Sequence, residues 1–264
     1  MTYAALLLCA GYGTRMGALT AETPKPLLDI AGRALLDPLL DQLDGLPGLG
    51  SIHIVTNRRH APAFSAWADE RKGSLRAELI LHDDGSTSNG DRLGAIGDLE
   101  FVLGRLPEIP DGALVAAGDN ILRFGLDRFW RRFRDTGHTR ILALEEKDKA
   151  RLRRTGVLRL DGDRVVELLE KPEEPPSQWA SPACYCLDRA ALAGVGAYLG
   201  NGGPRDEIGR YIAHLVDRHD VRAFRLRGER LHVGHPQELD RAREILAKEP
   251  VITSTGEELH RGTD

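Results

Sequence analysis

Apolar and polar positions fall into short blocks along the chain. Residues 4–9 are an unbroken apolar run, and residues 113–117 are another. Such runs suit strands covered on both faces, as in a parallel sheet. Residues 34–43 carry leucines on one stripe and predict a helix. Residues 51–56 and 78–82 read as strands, with a helix through Trp67 between them. A polar loop at 83–91 leads into a helix through about Leu103. This β-α-β-α order predicts an α/β fold with a central, mostly parallel sheet.

After residue 137 the rhythm changes. Residues 140–144, 156–160 and 164–169 read as strands, and Asp161-Gly162-Asp163 is a hairpin signal between the last two. A strand at 183–187, helices near 190–199 and 207–218, a strand at 221–226 and a helix at 236–246 follow. The expectation is one domain over 1–248, with a nucleotide half to about 137, an acceptor half at 138–248 and a polar tail at 249–264.

Composition narrows the partners. The formal net charge is −4 and the basic residues are scattered, which gives no reason to expect nucleic acid or an anionic membrane. Cys9, Cys184 and Cys186 make no disulfide framework and read as buried thiols. No signal peptide precedes the first strand, and no apolar run reaches about 18 residues, so the cytoplasm is the default compartment.

The candidate chemistry begins where the first apolar run ends. The strand opens into a loop with Gly11 and Gly13, then Arg15, then Lys25 set between Pro24 and Pro26. Glycines let backbone N–H groups approach an anion closely. Arg15 and Lys25 add two positive charges for one polyphosphate. A Rossmann fingerprint needs a third glycine where Met16 stands, and a P-loop needs a Gly-Lys-Ser/Thr that does not follow, so the layout suits a nucleoside triphosphate.

Ala-Gly-x-Gly-Thr-Arg-Met followed by Pro-Lys-Pro-Leu resembles the signature of the sugar-phosphate nucleotidylyltransferases, which join an NTP to a sugar 1-phosphate and release pyrophosphate. The resemblance runs from residue 3 to about residue 246. It implies a Rossmann-like three-layer α/β/α nucleotidyltransferase fold with a mixed, mostly parallel sheet. It also implies Mg²⁺ as cofactor, an NTP and a small phosphorylated acceptor as partners, and self-association as a dimer or tetramer. Leu8, Ala10, Gly11, Tyr12, Gly13, Thr14, Arg15 and Lys25 become the implied nucleotide site. Arg15, Lys25 and Asp119 become the implied catalytic set.

The second block is Ala116-Ala117-Gly118-Asp119-Asn120. Ligands in open α/β sheets sit beyond the carboxyl ends of strands. A carboxylate there can hold Mg²⁺ against phosphate oxygens or act as a turn residue; the resemblance assigns Asp119 to the metal and the nucleotide. The third block is Leu169-Glu170-Lys171-Pro172. Taken alone it fits a surface ion pair. By resemblance, Lys171 meets the acceptor's phosphate and Glu170 its hydroxyls, with Asn120 and Tyr185 also on the acceptor side. The loop before the third helix stands where the family contacts the base, so Ser88, Asn89 and Gly94 are assigned to the nucleotide; Ser88, Asn89 and Asp91 also suit helix capping. No glutamine occurs from 83 to 98, and the base stays unnamed.

The chain departs from the family pattern at Leu231-His232-Val233-Gly234-His235-Pro236. Where the pattern has the Asp that holds metal, this chain has His232, and imidazole is a poor Mg²⁺ ligand. A softer metal, a cationic contact to phosphate and plain packing all stay open for it. The same chemistry on phosphocholine, a phosphonate or a cyclitol phosphate is one alternative. A non-catalytic nucleotide-binding regulatory module is another. A metal-dependent glycosyltransferase would want Asp-x-Asp at the Asp119 strand end, which is absent.

Overall fold

The computed structural model describes residues 1–248 and the backbone of 257–258. The first half runs β1 (Tyr3–Leu8), two 3-10 stretches (Thr14–Thr20 and Lys25–Leu27), the small hairpin β2 (Asp29–Ile30) and β3 (Arg33–Ala34), α1 (Asp37–Asp44), β4 (Ser51–Thr56) and α2 (Ala61–Asp69). It continues with β5 (Glu78–Asp83), α3 (Ala95–Leu103), β6 (Gly112–Ala117), β7 (Asn120–Leu122) and α4 (Asp127–Thr136). The second half runs β8 (Arg140–Glu145), α5 (Lys149–Leu152), β9 (Gly156–Asp161), β10 (Arg164–Glu170), β11 (Trp179–Ser181) and β12 (Cys184–Asp188). It ends with α6 (Arg189–Gly200), α7 (Ile208–Val216), β13 (Arg222–Arg227), β14 (Arg230–His232), α8 (Pro236–Lys248) and β15 (Glu257–Glu258).

The sheet is mixed. Strands β5, β4, β1 and β6 lie parallel, and β12 then runs antiparallel to β6. Strand β13 is parallel to β8, while β9, β10 and β11 extend the sheet as antiparallel neighbours. Alternation along β1 explains why its run is apolar throughout: Ala4 and Leu6 enter one core cluster, Ala5 and Leu7 the other. Helices α3, α6 and α7 bury Leu99, Val195 and Ile212 in the first cluster. Helices α1, α2 and α4 bury Leu40, Phe64 and Trp130 in the second. Cys9, Cys184 and Cys186 are free thiols buried in that second cluster.

Some boundaries differ from the sequence reading. The helix expected from 34 begins at Asp37, because Ala34 closes the β2–β3 hairpin and its N–H donates to Asp37 Oδ2 at 3.0 Å. The helix after the polar loop begins only at Ala95, since Gly94 turns the chain at φ 81°. Strands β7, β11 and β14 were not legible; each has three residues, too few to display a period. Of the expected tail, Glu257–Glu258 pairs with Leu226 and Arg227 of β13; the rest of it lies outside the described residues. Among the described residues no helix is long and apolar enough to cross a membrane.

Candidate active site

A third, smaller apolar cluster holds the site together. Met16 of the glycine loop, Leu28, Ile30 and Leu35 around the small hairpin, Ile121 of β7, Val233 after β14 and Leu239, Ala242 and Leu246 of α8 pack against one another. The glycine loop, the chain just after Asp119 and the segment around His232 are thereby fixed to one apolar base. Strand β14 pairs antiparallel with β7, placing His232 opposite Asn120. Gly118 has no room for a side chain, because a Cβ there would collide with the Cys9 sulfur. The Gly118 N–H donates to the Leu8 carbonyl at 3.3 Å, which fastens the end of β6 to the end of β1.

Lys25 and Asp119 meet at the centre. The Lys25 ammonium donates to Asp119 Oδ2 at 2.7 Å, with side chains 10% and 27% exposed. The flanking prolines hold the Lys25 backbone, and Pro24 sits at φ −61°, ψ 144°. Burial pushes the Asp119 carboxyl up, but the charges of Lys25, His232 and Arg230 and the Lys25 hydrogen bond outweigh it and hold it below the usual range. Burial pushes the His232 imidazole down, against the pull of Asp119. The His232 Nδ1 is buried without a hydrogen-bond partner. Among the described residues no group of three or more His, Cys, Asp or Glu side chains is arranged to hold a metal. The donor set fits one hard cation: one carboxylate, with substrate oxygens completing the shell.

The glycine loop is shaped by its glycines and its floor. Gly13 sits at φ 60°, and Thr20 Oγ1 donates to its carbonyl at 3.0 Å. Asn57 Nδ2 donates to the Ala10 carbonyl at 2.8 Å. Thr14 and Arg15 are exposed on the 3-10 stretch, and Leu8 is half-buried at the strand end. Tyr12 is buried, its hydroxyl 3.2 Å from Ser86 Oγ, which in turn donates to Asp84 at 2.7 Å. Asp84 adjoins Asp98 of α3, and burial together with Asp84 pushes the Asp98 carboxyl up to about 8.

Several assigned residues prove to be engaged elsewhere. The Ser88 hydroxyl donates to Asp91 Oδ1 at 2.8 Å within a closed exposed turn, and α3 starts too late for Ser88, Asn89 or Asp91 to cap it. Gly94 packs on chain rather than offering an open surface: a Cβ there would stand 2.7 Å from the Arg205 carbonyl. Asn120 Nδ2 donates to the Pro182 carbonyl at 3.0 Å. The Tyr185 ring lies in the core, with its hydroxyl accepting from Ser181 at 3.3 Å.

The Glu-Lys-Pro block sits at the end of β10. Lys171 pairs with Glu207, just before α7, and lies 3.7 Å from Glu170. Glu207 also accepts from Arg210 Nε at 3.0 Å. Lys171 and Glu207 both adopt positive φ, 49° and 60°, a strained backbone of the kind that gathers at functional sites. Gly209 leaves space for the Glu170 carboxyl, which a Cβ would strike. Sequence reasoning missed Glu207, Arg210, Asn57 and Arg230. None lies in a motif, and their positions come from long-range pairing.

Residues 4–249 match the family described as nucleotidyl transferase, and the chain belongs to that family. The resemblance carried by the 8–27 motif is borne out at the level of sugar-phosphate nucleotidylyltransferases. The UTP–glucose-1-phosphate uridylyltransferase AglF of Haloferax volcanii is 27% identical over 247 residues, covering 93% of this chain and 97% of AglF. The mannose-1-phosphate guanylyltransferase of Mycobacterium tuberculosis is 30% identical over 191 residues, covering 71% of this chain and 49% of that protein. The chain thus spans almost the whole of the first relative and about half of the second. A UDP-glucose pyrophosphorylase complexed with UDP-glucose has the same fold, with a TM-score of 0.78 at 18% identity over 94% of this chain and 100% of that one.

Proposed function

We propose that this nucleotidyltransferase joins an NTP to a sugar 1-phosphate, forming an NDP-sugar and pyrophosphate. The observation that carries the reading is the Lys25–Asp119 contact at 2.7 Å, made where the glycine loop and the end of β6 converge. An oxygen of the acceptor phosphate attacks the α-phosphorus in line. The bond from that phosphorus to the bridging oxygen breaks, and its electron pair leaves with pyrophosphate. A phosphate dianion needs no protein nucleophile and no proton transfer, so catalysis is positioning and charge neutralisation.

The backbone of residues 10–14 and Arg15 hold the β- and γ-phosphates. Lys25 turns from Asp119 toward charge developing at the α-phosphate. Lys171 leaves Glu207 to meet the acceptor phosphate, and Glu170 reads acceptor hydroxyls. Asp119 would hold Mg²⁺, whose chemistry is to neutralise and orient the phosphates. We read 1–248 as one Rossmann-like three-layer α/β/α domain, with a nucleotide half to about 137 and an acceptor half beyond; helices on both faces of one sheet support this. Three free buried thiols suit the cytoplasm.

The test is pyrophosphate release with Mg²⁺ across ATP, GTP, CTP, UTP and dTTP. The acceptor panel holds hexose 1-phosphates, cyclitol phosphates, phosphocholine and phosphonates, and Asp119→Ala is the control. Release that requires one NTP, one sugar 1-phosphate and Asp119 is expected. Release only with a non-sugar acceptor would replace the acceptor, and NTP binding without release on any acceptor would defeat the transfer reading.

A further inference from the structure

Strand β14 brings a second residue toward Asp119. Arg230 and His232 are two apart on one strand, so their side chains leave the same face. The charged and polar groups around the Arg230 guanidinium come from four other places: Asp119 beyond β6, Glu146 beyond β8, Tyr185 on β12 and Arg151 on α5. None is its partner. Asp119 takes Lys25 at 2.7 Å, and Glu146 takes the Asp148 N–H at 2.8 Å and Arg151 at 3.5 Å. The Tyr185 hydroxyl takes Ser181. Among the described residues, the Arg230 guanidinium makes no hydrogen bond or ion pair, and its nitrogens are not among the sealed, unsatisfied polar atoms.

A guanidinium carries five donors, and withdrawing it from water without a partner is unfavourable. Other cations behave differently: Lys25 closes on Asp119, Lys171 on Glu207 and Arg123 on Glu229. An unspent, partly buried guanidinium that still opens outward beside Asp119 is an anion site. Its planar fork matches two oxygens of one phosphate. The same region offers a second divalent ion little: Glu146 is taken by the Asp148 N–H and Arg151, Glu238 accepts from the Gly234 N–H at 2.6 Å, and the neighbouring position on β14 is an imidazole.

We propose that Arg230 binds the acceptor phosphate beside a single metal ion on Asp119, neutralising charge where the other carboxylates, Glu146 and Glu238, are already engaged and leave a second divalent ion little to hold it. The proposal rests on the transfer reading above and makes Arg230 a substrate-contacting residue that no motif marks.

The test has a binding arm and a kinetic arm. Mn²⁺ is titrated into wild-type protein with UTP and followed by electron paramagnetic resonance; one tightly bound Mn²⁺ per nucleotide is expected, and two would overturn the proposal. UTP and UDP-glucose affinities are then measured by calorimetry for wild type, Arg230→Gln and Arg230→Lys. The expected result for Arg230→Gln is a loss of about 10- to 100-fold in UDP-glucose affinity and in kcat, with UTP affinity within about 3-fold and partial recovery in Arg230→Lys. Unchanged UDP-glucose affinity in Arg230→Gln, or an equal loss for UTP, would overturn it. A folded wild type that binds both nucleotides yet releases no pyrophosphate defeats the transfer reading alone, because the metal count and the UDP-glucose affinities still decide the role of Arg230.

Discussion

Replacing Lys25 by alanine removes the cation at the centre of the site, and its consequences separate by size. The wild-type ammonium lies 2.7 Å from Asp119, with side chains 10% and 27% exposed. A hydrogen bond to a charged group contributes about 1.5–3 kcal/mol, and water still reaches Asp119, so a stability loss of about 1–2 kcal/mol is expected. The kinetic loss is larger. One preorganised donor at a developing charge carries about 2.7–4 kcal/mol, or roughly 10²- to 10³-fold in kcat. On the proposed roles, Arg15 and the backbone of 10–14 carry the NTP affinity, which should fall by less than about 5-fold. The pH dependence follows from the depressed Asp119 pKa. A carboxyl held below its unfolded value stabilises the fold above about pH 4, and that contribution is lost as pH falls through the folded pKa. The stability gap between wild type and Lys25→Ala is therefore widest near neutral pH and narrows below about pH 4. Pyrophosphate-release kinetics, calorimetric NTP affinity and urea unfolding at pH 7 and pH 3.5 read the three effects. Equal losses in kcat and NTP affinity would refute the α-phosphate role. A gap that stays constant with pH, or stability effects that simply add in the double variant with Asp119→Asn, would refute the pairing.

Other perturbations probe the surroundings. Burial raises the Asp98 carboxyl to about 8 in the fold, so the folded state keeps a proton that the unfolded chain releases near pH 4, and stability falls as pH rises through that window. Asp98→Asn removes this linkage; urea midpoints of the variant should lose the decline between pH 5 and 8, and parallel wild-type and variant curves would contradict the assignment. Gly94→Ala places a Cβ 2.7 Å from the Arg205 carbonyl at φ +81°. It should cost about 1–3 kcal/mol in urea unfolding, and an unshifted midpoint would show that the turn can relax. Lys171→Ala should raise the acceptor KM by about 10-fold or more while leaving the NTP KM nearly unchanged; equal rises would detach Lys171 from the acceptor.

How much was legible depended on whether a residue's role was local. The strands 51–56 and 113–117 could be read because burial on both faces of a parallel strand leaves a continuous apolar run. The glycine loop, Lys25 between prolines, and Asp119 at a strand end could be read because backbone freedom, backbone constraint and position at a carboxyl terminus are properties of short segments. Ser88, Asn120 and Tyr185 were legible as polar groups near the right places, yet their partners Asp91, Pro182 and Ser181 decide what they do.

The sequence by itself determined the α/β alternation, the family and the glycine loop at the end of the first strand, because these follow from periodicity and from residue types at fixed spacing. Only the tertiary structure brought Lys25 to Asp119 across 94 residues and Lys171 to Glu207 across 36. It alone set Arg230 near Asp119, with no hydrogen bond or ion pair among the described residues, through the pairing of β14 with β7. A cation's role is decided by which carboxylates the fold sets within reach and which it leaves to a ligand. That is a property of long-range packing, which no local pattern encodes.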